Sequence, residues 1–334
     1  MIEKTHGLTK DALRIDAAAE TERIVDRLRT VLSRELKRRG LVLGLSGGID
    51  STVTAALAVR AVGKERVFGI LMPERHSHSE SRSLGQIVAD SLGMACVEEN
   101  ISGILEAAGF YRRYDATVRE VVPDYGPGWL SKIVIEGVAS GGGYTTFSIV
   151  AQDPKGHTVR TRLPLKAYLE IVAATNFKQR TRKMIEYYHA DRMNYAVAGT
   201  PNRLEYDQGF FVKGGDGLAD VKPIAHLYKS QVYQLADYLE MPESVRRRLP
   251  TTDTYSMPQG QDEFYFALPY EPMDLCLYGK NHALDPEAVA SAAGLTREKV
   301  QFVWEDIDRK RSTTRYLHLP PLLLGEVPEI SRSL

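Results

Sequence analysis

The sequence has few cysteines, no surplus of charge of either sign and no long hydrophobic run. Only two of its 334 residues are cysteines, Cys96 and Cys276, and their spacing fits neither a disulfide framework nor a metal or redox motif. Lysine and arginine together number 43, as do aspartate and glutamate, so the formal net charge is zero. No broad electrostatic field therefore favours nucleic acid or a membrane surface as a partner.

Targeting and membrane signals are also lacking. Residues 1–30 are charged and have a helical period without the apolar centre of a signal peptide, and no later stretch is as long as a membrane span. With only two cysteines as well, we expect a cytoplasmic protein that has neither nucleic acid nor a membrane as a partner.

What is present is a regular alternation of strand and helix patterns. Hydrophobic residues make up 43% of the chain, which is enough to bury a full core. Residues 15–39 and 167–194 have the period of helices. Further helices are predicted at "STVTAALAVRAVG", "ESRSLGQIVADSLGM" and "LYKSQVYQLADYLEMP", and strands at "LVLGL", "VFGILM" and "YAVAGT". This order predicts an α/β fold with a doubly wound parallel sheet and flanking helices.

Residues 111–164 break this alternation. "KIVIEG", "GGGYTTFSIVAQD" and "HTVRTRLPL" alternate polar and apolar residues with a period of two, and "DPKG" supplies a turn between the last two. We expect an antiparallel β-hairpin inserted into the α/β domain. Such an insertion could be a peripheral flap or oligomer contact, or it could shape a ligand pocket; the sequence leaves both open.

The stretch "LVLGLSGGIDSTVTAALAVRA" joins a strand to a helix through a glycine-rich loop, Gly44–Ser51. Backbone N–H groups and the positive end of the helix would face a phosphate there. The loop lacks the ending of a Walker A motif and the spacing of the dinucleotide fingerprint. Asp50 would repel a phosphate unless a cation lay between them, so the loop predicts Mg²⁺ on a bound pyrophosphate group.

This loop resembles the SGGxDS pyrophosphate loop of the N-type ATP pyrophosphatases, which release pyrophosphate from ATP by adenylating an oxygen. Within that superfamily, further motifs resemble those of the ammonia-dependent NAD synthetase family, in the same order along the chain. The matching segments are "LMPERHSHSES", "NFKQRTRKMIEYYHA", "GTPNRLEYDQGFFVKGGDGLADVKPIAHLYKSQV", "PTTDTYSMPQGQDEFYFALPY" and "DRKR". The resemblance covers roughly residues 15–320 apart from the insertion.

The resemblance implies a single synthetase domain over residues 1–334, with an adenine nucleotide α-hydrolase-like fold and a C-terminal helical segment, 283–320, that completes the site. It also implies roles for residues that match the motifs. The ATP contacts would be Gly44, Leu45, Ser46, Gly47, Gly48, Ile49, Asp50, Ser51, Thr200, Lys229 and Thr251. The contacts to nicotinic acid adenine dinucleotide would be Arg180, Lys213, Asp220, Arg309 and Lys310. Mg²⁺ would bind Asp50 and Glu205, and the catalytic groups would be Asp50, Lys229 and Lys213.

The implied reaction uses ATP as a co-substrate to adenylate a carboxylate, after which ammonia displaces AMP and forms an amide. The substrates are therefore small molecules: ATP, an acid such as nicotinic acid adenine dinucleotide, and ammonia. A glutaminase domain would need further length, so we expect free ammonia or ammonia from a separate partner. The family also implies a homodimer.

Other functions stay open at this point. The motifs depart from the family pattern at Pro201, Val212, Gly214 and Arg309, and the insertion precedes the helix that carries Arg180. An amide synthetase of the same mechanism for another carboxylic acid is therefore one alternative. A sulfur-transfer ATP pyrophosphatase is less favoured, because the cysteines lie outside the expected motifs. A non-catalytic nucleotide-binding module is disfavoured by the presence of both expected metal ligands.

Overall fold

The structure is a computed structural model that describes residues 8–77, 79–136, 146–248, 254–260, 265–266, 268–325 and 327–328. The α-helices in chain order are α1 Ala17–Thr30, α2 Ile49–Val62, α3 Ser79–Leu92, α4 Ser102–Ala107, α5 Phe110–Val121, α6 Leu165–Met193, α7 Arg203–Gln208, α8 Lys229–Tyr238, α9 Glu243–Arg246, α10 Tyr270–Asn281, α11 Pro286–Ala293 and α12 Arg297–His318. The strands are β1 Leu41–Gly44, β2 Val67–Leu71, β3 Ala95–Glu98, β4 Leu130–Glu136, β5 Thr146–Gln152, β6 Thr158–Arg162 and β7 Ala196–Val197. A π-helical turn, Val31–Leu36, continues α1.

Four strands form a parallel sheet in the order β3-β2-β1-β7, so the predicted α/β fold is confirmed. Leu41 and Leu43 of β1 belong to the core on one face with α1, α2 and α8, whereas Val42 belongs to the core on the other face with α5 and α6. Burial on both faces explains why these strands are continuous apolar runs. The sheet thus carries helices on both sides, as a doubly wound arrangement requires.

Two details of this sheet differ from the sequence prediction. The half-exposed strand β3 was missed, because its short run "ACVE" has a single strongly apolar residue. The strand expected at "YAVAGT" is reduced to the two residues of β7, and Ala198 makes only an isolated bridge to Val221. Parallel strands pair with segments that are distant in the sequence, because a long crossover connects them. The ends of these strands therefore depend on tertiary contacts that the local hydrophobic pattern does not reveal.

The inserted segment forms a second, antiparallel sheet in the order β4-β5-β6. It has three strands rather than the two of a simple hairpin, and all three lie in the segments predicted from the period-two pattern. Ile133, Ile149 and Ala151 are fully buried on the face that packs against α5 and α6. Part of the predicted pattern, residues 137–145, lies outside the described residues, and residues 111–121 are helical.

The C-terminal helices α10, α11 and α12 pack in a third apolar cluster. Thr296 caps α12 by accepting a hydrogen bond from the Lys299 N–H, and Gly294 ends α11 with a φ of +66°. Within the segment 283–320, α11 and α12 are therefore two separate helices joined by a glycine turn. Among the residues that the structure describes, no helix is both long and apolar enough to cross a membrane.

Candidate functional site

A cavity of about 890 Å³ lies at the carboxyl ends of β1 and β2. Its lining includes the glycine-rich loop, the end of β2, the cavity-facing side of α6, the start of α8 and part of α12. The inserted sheet contributes to the lining as well. Ligands of open α/β sheets bind at this edge, because the loops that follow the strands converge there.

The glycine-rich loop, Gly44–Ser51, forms one end of the cavity and is called the phosphate loop below, after the ligand that the sequence predicts for it. Helix α2 begins at Ile49. Its N-cap residue is Gly48, which has no side chain that could cap the N–H groups of the first turn. Gly47 has a φ of +70°, and a Cβ there would lie 2.7 Å from the Ser81 carbonyl, so this position requires glycine. Every residue of the loop except Gly47 lines the cavity. The N–H groups at the start of α2 and the positive helix end suit an anionic ligand.

Lys229 is the first residue of α8, and its ammonium group donates a hydrogen bond to the carboxylate of Asp50. The side chain is almost fully buried. Burial alone would lower the pKa of Lys229, but the charges of Asp50 and Glu205 outweigh it and leave the pKa above its ordinary value. These carboxylates therefore favour the charged form of Lys229 beside the phosphate loop.

Asn202 connects the two predicted metal ligands. Its Nδ2 donates to Asp50 Oδ1 at 3.2 Å, and its backbone N–H donates to Glu205 Oε2 at 3.1 Å. Its Oδ1 accepts from the Glu205 N–H at 3.3 Å, which completes a capping box at the start of α7. The fully buried Asn202 thus holds both carboxylates on the side of the cavity where Lys229 lies.

Asp274 of α10 is a positioning residue that the sequence analysis missed. It is fully buried and accepts hydrogen bonds from the N–H groups of Lys229, at 3.2 Å, and Ser230, at 2.7 Å. Burial raises the pKa of Asp274 to about 6, although these hydrogen bonds favour the ionised form. A carboxylate at the N-terminus of α8 fixes the position of Lys229. The two residues are distant in sequence, so no local pattern could have revealed the contact.

Two buried ion pairs on α6 were missed as well. Lys183 contacts Glu186 at 2.5 Å, and Lys178 contacts Glu74 at 2.7 Å. Lys183, Glu186 and Lys178 line the cavity, as does the half-buried Asp216. Burial raises the pKa of both Glu186 and Asp216, and the positive charge of Lys183 offsets part of that rise. The three-residue spacing of Lys183 and Glu186 was a visible signal for a helical pair, but the sequence did not reveal their burial.

The other predicted ATP contacts are partly brought together. Thr200 follows β7 and lines the cavity with Glu205. Thr251 lies outside the described residues. Arg248 and Thr254, on either side of it in the sequence, both line the cavity.

The predicted acid-binding residues fall into two groups. Arg309 and Lys310 of α12 line the cavity. Lys310 contacts Asp306 at 2.6 Å, and burial lowers the pKa of Lys310 because this carboxylate offsets only part of the desolvation.

Arg180, Lys213 and Asp220 lie outside the cavity lining. Arg180 Nε donates to the Lys213 carbonyl at 3.3 Å, and the Lys213 ammonium donates to the Tyr316 carbonyl at 2.7 Å. Asp220 accepts from the Val197 N–H at 2.7 Å. Within one chain, these three side chains therefore make hydrogen bonds to backbone groups of neighbouring segments.

Comparison with known families bears on this site directly. The family model described as NAD synthase matches residues 20–122 and 154–315. The chain belongs to the NAD synthase family. The matched ranges include the glycine-rich loop, Lys229 and the cavity-lining part of α12, whereas β4 and β5 lie in the unmatched residues 123–153.

Relatives in the NAD synthase family match nearly the full length. A protein named NH(3)-dependent NAD(+) synthetase from Rhizobium meliloti (strain 1021) is 62% identical over 320 residues, which are 96% of each chain. A protein of the same name from Thermotoga maritima is 35% identical over 255 residues, 76% of this chain and 85% of the relative. The predicted ammonia-dependent NAD synthetase family is thus confirmed, and with it the assignment as a ligase of that family, whose co-substrate is ATP.

Solved structures agree in fold. The NMN synthetase from Francisella tularensis aligns with a TM-score of 0.64 at 22% identity and covers 94% of this chain and 100% of that one. The NH3-dependent NAD synthetase from Campylobacter jejuni, in complex with a nitrate ion, aligns with a TM-score of 0.61 at 22% identity and covers 93% and 100%. At this identity the likeness concerns the arrangement of helices and strands alone.

Proposed function

We propose that this protein is an ammonia-dependent NAD synthetase that amidates nicotinic acid adenine dinucleotide with ATP. The observation that carries the proposal is the identity of 58–62% to relatives named NH(3)-dependent NAD(+) synthetase over almost the whole chain. The site supplies what the chemistry needs, because a phosphate loop, a buried lysine and two carboxylates meet on one cavity.

The reaction forms and breaks bonds in two steps. A carboxylate oxygen of the acid attacks the α-phosphorus of ATP, and the bond from that phosphorus to the bridging oxygen breaks, so that pyrophosphate leaves. Ammonia then attacks the acyl carbon and loses a proton as AMP leaves with the former carboxylate oxygen. The loop N–H groups hold the phosphates, and Lys229 stabilises negative charge as it develops on the leaving pyrophosphate.

We further propose that Asp50 and Glu205 hold a Mg²⁺ together with ATP. Mg²⁺ sites in nucleotide enzymes use one or two carboxylates and complete their shell with phosphate and water oxygens. Asn202 holds both carboxylates, and within the described ranges no cluster of three or more histidine, cysteine or acidic residues offers a separate metal site. When bound, the ion would neutralise charge on the pyrophosphate.

We assign the acid to the side of the cavity that contains Arg309 and Lys310. Both are positively charged side chains on α12 that face the cavity from the C-terminal segment. Arg180, Lys213 and Asp220 remain candidates for binding the dinucleotide, and their position outside the cavity of a single chain suits a site that includes a second copy of the protein.

A homodimer is therefore part of the proposal. Leu165, Leu169, Met184 and Tyr188 of α6 are all more than half exposed, and we propose that a second copy of the protein covers these apolar side chains. Sedimentation equilibrium should give twice the monomer mass. Replacing Leu169 and Tyr188 by glutamate should lower the measured mass toward that of the monomer. A parent protein with the mass of a monomer would contradict the proposed homodimer.

We place the protein in the cytoplasm, with small-molecule substrates as its partners. Cys96 and Cys276 are both free thiols, and a reducing compartment keeps them so. Among the described residues that line the cavity none is a cysteine, which counts against the sulfur-transfer alternative.

The decisive experiment measures AMP and pyrophosphate release from ATP, Mg²⁺ and ammonium, with and without nicotinic acid adenine dinucleotide. Release that depends on the dinucleotide, with formation of NAD, is the expected result. Asp50→Asn should abolish it, and Asp26→Asn, at an exposed position of α1, should not. Release that instead depends on another carboxylic acid, such as nicotinic acid mononucleotide, would overturn the substrate and keep the reaction class.

A further inference from the structure

The apolar face of the inserted sheet continues into the cavity. Ile133 of β4 and Ile149 of β5 are directly paired and fully buried. The next pair on the same face is Ile135 and Phe147, which are half-buried and line the cavity. Because side chains alternate along a strand, the face that forms the core beneath the sheet also forms part of the cavity surface.

Helix α6 extends this surface. The ring of Tyr168 stacks on that of Phe147, with centroids 4.1 Å apart and planes inclined by 18°, and Val172 lies one turn farther along the helix. Both α6 residues line the cavity. We call Ile135, Phe147, Tyr168 and Val172 the ring wall.

The ring wall is fixed to the rest of the site by the segment 254–260. The Ser131 N–H of β4 donates to Ser256 Oγ at 2.8 Å, and the Met257 N–H donates to the Ser131 carbonyl at 3.2 Å. Lys132 Nζ donates to the Pro258 carbonyl at 3.1 Å. Tyr255, from the same segment, is buried and lines the cavity. The inserted sheet is thus part of the cavity structure rather than a peripheral flap.

We propose that the ring wall binds a planar heteroaromatic ring of a nucleotide substrate. The inference rests on the proposed function, in which both ATP and the acid carry such rings. Flat apolar and aromatic side chains suit the face of a ring. Asn176 and Gln179 follow on the same helix and line the cavity, and their amides can hydrogen-bond ring nitrogens at the edge. The phosphate loop and the ring wall line different parts of the cavity. The phosphates of one nucleotide would therefore contact the loop, and its ring would contact the ring wall.

Residues 135 and 147 lie in the stretch that the family model leaves unmatched. Two of the four ring-wall residues therefore come from the insertion and two from α6, and we infer that the insertion helps to determine which ring is bound. ATP and the dinucleotide are the two sources of the ring that an experiment must distinguish.

The test compares Phe147→Ala with Phe147→Tyr, which keeps an aromatic ring, and with Val159→Ala, an exposed position of β6 outside the cavity lining. KM for ATP and KM for the dinucleotide are measured separately, together with kcat and the melting temperature. Loss of stacking should raise one of the two KM values by about tenfold in Phe147→Ala. Phe147→Tyr and Val159→Ala should remain close to the parent protein.

A rise in KM for ATP identifies adenine as the ring, and a rise in KM for the dinucleotide identifies the acid; either supports the inference. Unchanged KM values for both, or a fall in kcat alone, would overturn it. Calorimetric titration of the same variants with ATP provides a readout independent of turnover. A parent protein that binds ATP but does not turn over the dinucleotide would refute the proposed function, and the titration would still test the ring wall.

Discussion

The two ends of the cavity are built from opposite kinds of groups. At the edge of the parallel sheet, the cavity is lined by the glycine-rich loop, the Lys229 side chain and the carboxylates of Asp50 and Glu205, where we propose that phosphates bind. At the antiparallel sheet, Ile135 and Phe147 offer apolar surface. The energy of a charged group depends on specific partners, so losing one partner has a large effect. The energy of an apolar contact depends on the contact area, so it changes gradually with side-chain size. Variants at the two ends should therefore fail in different ways.

The largest effect is expected for Lys229→Met. Removing the ammonium takes the buried positive charge away from Asp50 and deprives the leaving pyrophosphate of the Lys229 cation. We expect kcat to fall by about 10³-fold, with ATP still bound by the loop. The measurement is pyrophosphate release at saturating substrates. Lys10→Met removes an exposed ion pair with Glu271 and serves as the control; a fall of less than tenfold for Lys229→Met would contradict the role.

Several residues that the structure places at this charged end were visible in the sequence, for a physical reason. A loop that brings backbone to a phosphate needs glycines and a helix start, so Gly44–Ser51 is visible in the sequence. Lys229 and Glu205 were found through the resemblance of whole motifs, and the structure brings both to the cavity. Asp274 and the Lys183–Glu186 pair were missed, since burial and contacts between distant segments are tertiary properties.

For the apolar end, the period-two pattern predicted strands and their buried face but not what that face contacts. Ile135 has the same pattern as Ile133, yet one lines the cavity and the other is in the core. Only the packing of β4 and β5 against α6 separates the two roles. The roles of individual site residues remain predictions that the experiments proposed here test.

A second prediction concerns the free energy of unfolding at the charged end. Lys183→Met leaves the buried Glu186 without its partner and should destabilise the fold by about 3 kcal/mol. The double variant Lys183→Met with Glu186→Gln removes both charges and should recover most of that loss. Urea unfolding measures both. Equal destabilisation in the single and double variants would show that packing, rather than the unpaired charge, is responsible.

A third prediction uses the pKa of Asp274, which burial raises to about 6. Below that pH the carboxyl becomes protonated and accepts the N–H groups of Lys229 and Ser230 less well, so kcat should fall as the pH drops through 6. Because this pKa is higher in the folded than in the unfolded chain, the same protonation should increase the free energy of unfolding toward pH 4.

Activity and this contribution to stability should therefore change in opposite directions. Asp274→Asn, which cannot ionise, should lack the acid limb of the kcat profile. An unchanged limb in that variant would assign it to another group.

The smallest effect is expected where the inserted sheet joins the segment 254–260. Ser256→Ala removes the hydrogen bond that Ser131 N–H donates to Ser256 Oγ. We expect a loss of about 1 kcal/mol in the free energy of unfolding. KM for ATP should rise no more than about threefold, because Met257 still pairs with Ser131. Thermal unfolding and initial rates measure the two effects, and a loss of activity as large as that of Lys229→Met would erase the distinction between the two ends.

The chain leaves the α/β domain after Val121, at the end of α5, and returns at Leu165, at the start of α6, and these two helices pack against each other. The inserted sheet is therefore grafted between neighbouring anchor points, a geometry in which segments can be exchanged without displacing their surroundings. Its strands can change in length or sequence while the phosphate loop keeps its place on the parallel sheet. The fold thus carries the proposed chemistry on the parallel sheet and part of the proposed ring-binding surface on a separate module, which gives protein engineers one place at which to test changes in ligand choice.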